Sequence, residues 1–266
     1  MSETRLTRSL VCPDCRGPLE LADTEVGCEA CAWRRARSDG YLPLSSRESV
    51  DPQGLGPRAM RWRPLARIYE KVWRPAFVSV ASRRVADRYD EEAWVEARLL
   101  EGAGGEFADL SCGPGWMARR LSTRAAFTRV YGVDLSPAML SVCIDAARRE
   151  AAPVIAVQGD VGRLPFVDNC LGAAHAGAAL HLWPEPGRAL REVGRVLRSQ
   201  GAFVASTFVH PARWGAQKLI EESFERLTKV RFFEVDELEG LCAAAGLVNF
   251  EARIQGAWIV FSARAI

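Results

Sequence analysis

The chain has 266 residues, 48% of them hydrophobic and 26% charged, which fits one large domain with a small module attached and a main core that needs no covalent staples. Its 35 basic and 33 acidic residues leave a formal charge of +2, too balanced to predict a nucleic-acid coat or a membrane-surface binder. Met1 to Leu10 is polar, which argues against a secretory signal, and no apolar run reaches the roughly 18 residues that cross a bilayer, so a cytoplasmic location with no membrane span is expected.

The first feature in chain order is Cys12-Pro13-Asp14-Cys15, followed by Cys28-Glu29-Ala30-Cys31. Two CxxC turns at this spacing aim four thiolates at one point, the pattern of a zinc ribbon. Zn²⁺ suits such a site because it is redox-inert and content with four sulfurs, and a closed four-sulfur site is structural rather than catalytic. Two disulfides or free thiols are the alternative, and a reducing compartment counts against disulfides. Cys143, Cys170 and Cys242 read as small core residues, whereas Cys112 falls in a glycine-rich loop.

The ribbon is expected over residues 1–46, closed by Gly40-Tyr41-Leu42-Pro43-Leu44. Residues 47–99 read as a linker and helical lid region, with Trp62, Leu65, Ile68, Tyr69, Val72 and Trp73 at three- and four-residue spacings. From Glu106 onward strands alternate with helices: strands over 107–111, 130–133, 154–157, 171–176 and 202–208, helices over 115–124, 137–149 and 187–198. An Arg/Lys-rich segment, 211–229, precedes a helix at 235–245. Segments 248–254 and 257–263 are then expected to pair antiparallel through Gln255-Gly256. The fold class is therefore α/β: a Rossmann-like, doubly wound, mostly parallel seven-stranded sheet with an antiparallel last strand over 100–266, plus the small N-terminal zinc ribbon.

Three acids end successive strands of this pattern. Asp109 opens Asp109-Leu110-Ser111-Cys112-Gly113-Pro114-Gly115, where glycines let a ligand approach the backbone. Asp134 ends the second strand, where a carboxylate accepts hydrogen bonds from two ribose hydroxyls, and Ser136-Pro137 caps the next helix. Asp160 follows the third strand. A nicotinamide site competes, but its GxGxxG pattern is not present.

The segments D-L-S-C-G-P-G (109–115), Y-G-V-D-L-S-P-A-M-L (131–140), Q-G-D-V-G-R-L-P-F (158–166) and R-E-V-G-R-V-L-R (191–198) resemble class I S-adenosylmethionine-dependent methyltransferases. The resemblance implies that Ser111, Cys112, Gly113 and Gly115 hold the methionine part of the cofactor and that Asp134 and Leu135 hold its ribose. It implies that Met139 packs on the adenine and that Asp160 and Val161 meet the adenine edge, with Asp109, Gly177 and Tyr69 completing the set. The family usually has glycine where Ser111 stands. The segments Tyr69 to Phe77, Ser111 to Gly115 and Ala174 to Pro184, with the CxxC pairs, are similar to a narrower family of chloroplast and bacterial methyltransferases. That explains Ser111 as a subfamily trait.

Methyl transfer needs an aligned nucleophile, exclusion of water and, for O–H or N–H acceptors, a base. The chain has only three histidines, His175, His181 and His210. His175 and His181 lie at and just after the end of the fourth strand, where open α/β sheets place ligands. His181 is the preferred base, and His175 reads equally well as a buried, hydrogen-bonded residue. The expected reaction moves a methyl group from S-adenosylmethionine to a small organic acceptor, a natural product or quinone-like ring, leaving S-adenosylhomocysteine. Methylation at oxygen, nitrogen or carbon stays open, as does the oligomeric state. The alternative is a ribosomal-RNA guanine N-methyltransferase, whose N-terminal zinc ribbon ends similarly to Asp39-Gly40-Tyr41-Leu42-Pro43-Leu44. There the last zinc ligand is commonly histidine, whereas here it is Cys31, and the weak net charge also counts against RNA. A non-enzymatic binding module is disfavoured by the intact acids.

Overall fold

The computed structural model describes residues 8–38, 40–49, 88–210 and 230–266. Tyr69, Trp62, Trp73 and the basic segment 211–229 lie outside the described residues, as does most of the expected lid region.

Three short strands, β1 (Leu19–Leu21), β2 (Glu25–Cys28) and β3 (Arg34–Ala36), make an antiparallel sheet that carries the cysteine turns. The rest of the described chain forms β4 (Tyr41–Pro43), α1 (Arg88–Leu100), β5 (Glu106–Leu110), α2 (Trp116–Ser122), β6 (Arg129–Asp134), α3 (Pro137–Arg149) and β7 (Val154–Gln158). After these come β8 (Leu171–Ala176), α4 (Pro186–Val196), β9 (Leu197–Phe208), α5 (Val235–Ala244), β10 (Leu247–Gln255) and β11 (Trp258–Ala265). No described helix is long and apolar enough to cross a membrane.

The main sheet has the order β10-β11-β9-β8-β5-β6-β7-β4. β11 runs antiparallel to both its neighbours, through the expected Gln255-Gly256 turn, and the other pairings are parallel. Residues of β5 and β8 are buried throughout, as strands covered on both faces must be. Ser136 caps α3 by accepting from the Met139 amide at 3.3 Å, with Pro137 at the first helical position.

One expectation needs correction. Among the described residues the sheet has eight strands, not seven, because Tyr41-Leu42-Pro43 does more than close the ribbon. It pairs in parallel with β7, placing Tyr41 opposite Ala156 and Pro43 opposite Gln158. The physical reason is an open edge: β7 would otherwise present unpaired amides and carbonyls, and a three-residue strand is enough to cover it.

Helices and ribbon divide the two faces of the sheet. On one, Val95 and Leu99 of α1 and Met117 and Leu121 of α2 pack with Phe107, Val130 and Val204. On the other, Leu190 and Val193 of α4 and Leu238 of α5 share a cluster with Tyr131, Val133 and Phe166, and the same cluster takes in Leu10, Cys12, Trp33 and Leu44 of the ribbon. The connection from β7 to β8 contains no helix. The ribbon stands where a crossover helix would, and its core is continuous with that of the sheet.

Candidate active site and thiol cluster

The carboxyl ends of β5, β6 and β7 converge on the loop after β5. Ser111, Gly113 and Gly115 all have positive φ, at 53°, 54° and 76°. The loop is tied down by Cys112 N–H donating to Val133 O at 2.9 Å and Gly115 N–H donating to Cys112 O at 2.9 Å. Asp134, at the end of β6, accepts from Gly113 N–H through Oδ2 and from Ser136 N–H through Oδ1, each at 2.8 Å. Burial raises its pKa to about 6, although both amides pull the other way.

Gly115 has no substitute at its position. A Cβ there would lie 2.2 Å from Cys143 Sγ, and φ is left-handed as well. Gly115→Ala is expected to destabilise the protein by roughly 2–4 kcal/mol in urea denaturation, since backbone strain and overpacking add. Cys143→Ala in the same chain should recover the steric part and leave the backbone part.

Ser111 occupies a backbone conformation that suits glycine, which accounts for the family's usual residue. Its hydroxyl accepts from Trp183 Nε1–H at 3.0 Å. Trp183, Pro184, Glu185 and Arg188 in turn line an open cleft with Asp160 and Val161. The structure thus links the β5 loop to the β7 loop through Trp183, a residue for which the sequence alone implies no role. Asp160 holds its own turn, accepting from Gly162 N–H at 2.8 Å through Oδ1. Met139 is buried, and Leu135 O accepts from Gln158 Nε2 at 3.3 Å.

Asp109 and the histidines are arranged differently from a set of independent site residues. Asp109 and His175 are register partners on β5 and β8, both buried, with His175 Nδ1 2.7 Å from Asp109 Oδ1. A carboxylate can only accept, so Nδ1 is the donor of this pair, and in the neutral imidazole Nε2 then carries the lone pair. The second oxygen of Asp109 accepts from Ala118 N–H at 3.2 Å, in the first turn of α2, which has no side-chain cap of its own. The space above Gly177 belongs to the same imidazole, because a Cβ there would meet His175 Cε1 at 2.6 Å. His181 is buried against Phe208, with ring centroids 4.6 Å apart, and its Nδ1 is 3.4 Å from Thr207 Oγ1. Burial pushes its pKa down to about 3, which makes it a weak base.

The four ribbon cysteines come together as expected. Their sulfurs all lie within 4.8 Å of one another, with Cys12 and Cys31 at 3.8 Å and Cys15 and Cys28 at 3.4 Å. A tetrahedron with Zn–S bonds of about 2.3 Å has edges of about 3.8 Å, so the donor set fits such an ion. Amides of Asp14, Gly17 and Ala30 donate to the sulfurs of Cys12, Cys15 and Cys28 at 3.4, 3.4 and 3.3 Å. Burial, together with the neighbouring Cys28 and Cys31 thiols, pushes the Cys12 thiol up to about 12, and a dication bound by the four sulfurs would reverse that preference.

Residues 108–205 match the family described as "Methyltransferase domain". The uncharacterized chloroplastic methyltransferase At1g78140 of Arabidopsis thaliana is 30% identical over 96% of this chain and 78% of its own length. The 2-phytyl-1,4-naphtoquinone methyltransferase of Nostoc punctiforme is 36% identical over 41% of this chain and 49% of its own. Phosphoethanolamine N-methyltransferase 2 of Haemonchus contortus, solved with phosphomonomethylethanolamine and S-adenosylhomocysteine, superposes with a TM-score of 0.58 at 14% identity, covering 66% of this chain and 53% of that one. A relative matched across nearly the whole chain, together with the sheet order and the loops at its carboxyl edge, places this chain among the class I S-adenosylmethionine-dependent methyltransferases.

Proposed function

We propose that this methyltransferase acts on a small organic acceptor with a quinone-like ring, and that the ribbon holds one structural Zn²⁺. The observation that carries the acceptor is the similarity of the catalytic core to a naphthoquinone methyltransferase. For the metal it is the four-sulfur cluster, whose dimensions and amide donors suit zinc. A cytoplasmic setting, with its reducing thiol pool, goes with this reading.

Bound S-adenosylmethionine would supply a methyl carbon activated by the sulfonium that leaves as a thioether. The loop from Ser111 to Gly115 would offer backbone to the methionine part, the Asp134 carboxylate would accept from the ribose hydroxyls, and Asp160 and Val161 would meet the adenine edge. For an O–H or N–H acceptor we assign the base to His175 in place of His181. Its Nδ1–H is held by Asp109 and its Nε2 is free to take the proton, whereas the pKa of His181 is too low for the task. A carbon acceptor would need the base only after attack.

The test is methyl transfer from labelled S-adenosylmethionine to reduced naphthoquinones, phenols and small amines, with ribosomal RNA alongside, on protein whose metal content has been measured. Labelling of a ring acceptor with little salt dependence, at about one zinc per chain, is the expected result. Labelling of RNA alone, weakening steeply with salt, would replace the small-acceptor reading by the ribosomal one.

A further inference from the structure

The segment from Gln158 to Val167 carries the residues assigned to the adenine, and most of its outer side is held by the ribbon. β4 pairs with β7 up to Gln158, two residues before Asp160. Farther along, Leu10 bridges Phe166, Val11 N–H donates to Pro165 O at 3.0 Å, and Val167 N–H donates to Ser9 O at 3.0 Å. Between these two seams stands Arg163. Its Nη1 reaches Glu48 Oε2 at 2.7 Å and Ser46 Oγ at 3.4 Å, and its Nη2 donates to the carbonyl of Asp14.

Asp14 lies inside the first CxxC turn. Its amide donates to Cys12 Sγ at 3.4 Å, and its carboxylate accepts from Ser46 Oγ at 2.8 Å and Arg47 N–H at 3.1 Å. At the other end, Arg163 N–H donates to Asp160 O at 2.9 Å, closing the turn in which Asp160 sits. One guanidinium therefore spans from the backbone of the cysteine turn to the turn of the adenine-side acid. An exposed ion pair alone would contribute little. This contact differs because Arg163 donates to a backbone carbonyl whose position depends on the sulfur cluster.

We infer that Arg163 is a positioning residue through which the metal-bound cysteine turn holds Asp160 in place, so that zinc occupancy sets the affinity for the cofactor. The inference rests on the reading of the segment around Asp160 as the adenine side of the site. α4 holds the same segment from within, through Glu192 accepting from Leu164 N–H at 2.8 Å, Arg188 donating to Gly162 O at 2.9 Å and Arg195 donating to Phe166 O at 2.7 Å. Loss of the outer hold should accordingly loosen the site without dismantling it.

The experiment is a cycle on the full chain, with and without zinc, for wild type, Arg163→Met and Arg163→Lys, read by calorimetric titration with S-adenosylhomocysteine. Arg163→Met is expected to keep its zinc and its melting profile while binding roughly 5- to 20-fold more weakly, the lower part of the range of coupling between sites. Arg163→Lys should recover part of the loss. Chelation should weaken wild type at least as much, and Arg163→Met should lose little more on chelation. Hydrogen exchange at residues 158–167 should quicken on zinc removal in wild type, a readout that needs no ligand. Affinity within twofold of wild type for zinc-loaded Arg163→Met, or losses that simply multiply, would overturn the coupling alone. No binding by zinc-loaded wild type, or normal binding by Asp160→Ala, would instead overturn the cofactor reading on which it rests.

Discussion

Asp134→Ala is expected to weaken S-adenosylhomocysteine binding by roughly 100-fold or more, measured by calorimetric titration. Each hydrogen bond between a ribose hydroxyl and this carboxylate is charge-assisted, and two at about 1.5 kcal/mol each amount to that factor. The variant also removes the acceptor for Gly113 N–H, so the loop loses one of its ties together with the ligand contact. The sign of the pH dependence follows from the raised pKa. The bound state needs the ionised carboxylate, so affinity is fully present above about 6 and is lost as pH falls through that value. One unit below it the dissociation constant should be roughly tenfold larger, and Asp134→Ala should show no such dependence. For stability the same shift works the other way. The folded chain holds this proton more tightly than the unfolded chain, so the contribution of Asp134 to stability declines as pH rises from 3.8 towards about 6. A half-buried carboxylate kept at that disadvantage is characteristic of a binding group.

Asp109→Ala should be among the most destabilising single changes in the site, by about 2–5 kcal/mol, because it leaves the buried Nδ1–H of His175 without its acceptor. The change also leaves Ala118 N–H, in the first turn of α2, without its acceptor. In a chain of this size the loss corresponds to a fall of roughly 10 °C in Tm, read by differential scanning calorimetry. His175→Gln separates support from chemistry. The glutamine amide can still donate to Asp109, so Tm should change little, while turnover of an O–H or N–H acceptor should fall roughly 100-fold or more without a matching loss of S-adenosylhomocysteine affinity. A variant with normal turnover would leave His175 with a packing role only.

The sheet was legible because its strands are continuous apolar runs and its helices carry proline at their starts, as at Pro137 and Pro186. The three acids were legible because each ends such a run. What escaped was non-local. Tyr41-Leu42-Pro43 is too short to show alternation, and its proline reads as a turn, so nothing in the segment announces a partner at β7. Arg163 and Asp14 are far apart in sequence and both look like ordinary surface charges. Asp109 and His175 were each noticed, yet as a cofactor contact and a candidate base. Only the register of β5 against β8 turns them into a pair, and register between parallel strands joined by long crossovers leaves no local signature. His181 shows the complementary difficulty, since its burial depends on Thr207 and Phe208, which belong to another strand.

The pairing of Tyr41 with Ala156 also bears on how the chain is assembled during synthesis. The ribbon is synthesised before the sheet, and its outermost strand has to wait for β7. In the interval that strand and the apolar side of the ribbon, including Trp33 and Leu44, have no sheet to rest on. Such long-range closure is slow compared with local folding. Docking of the ribbon onto the sheet is then a non-local step that has to await strands more than a hundred residues farther along the chain.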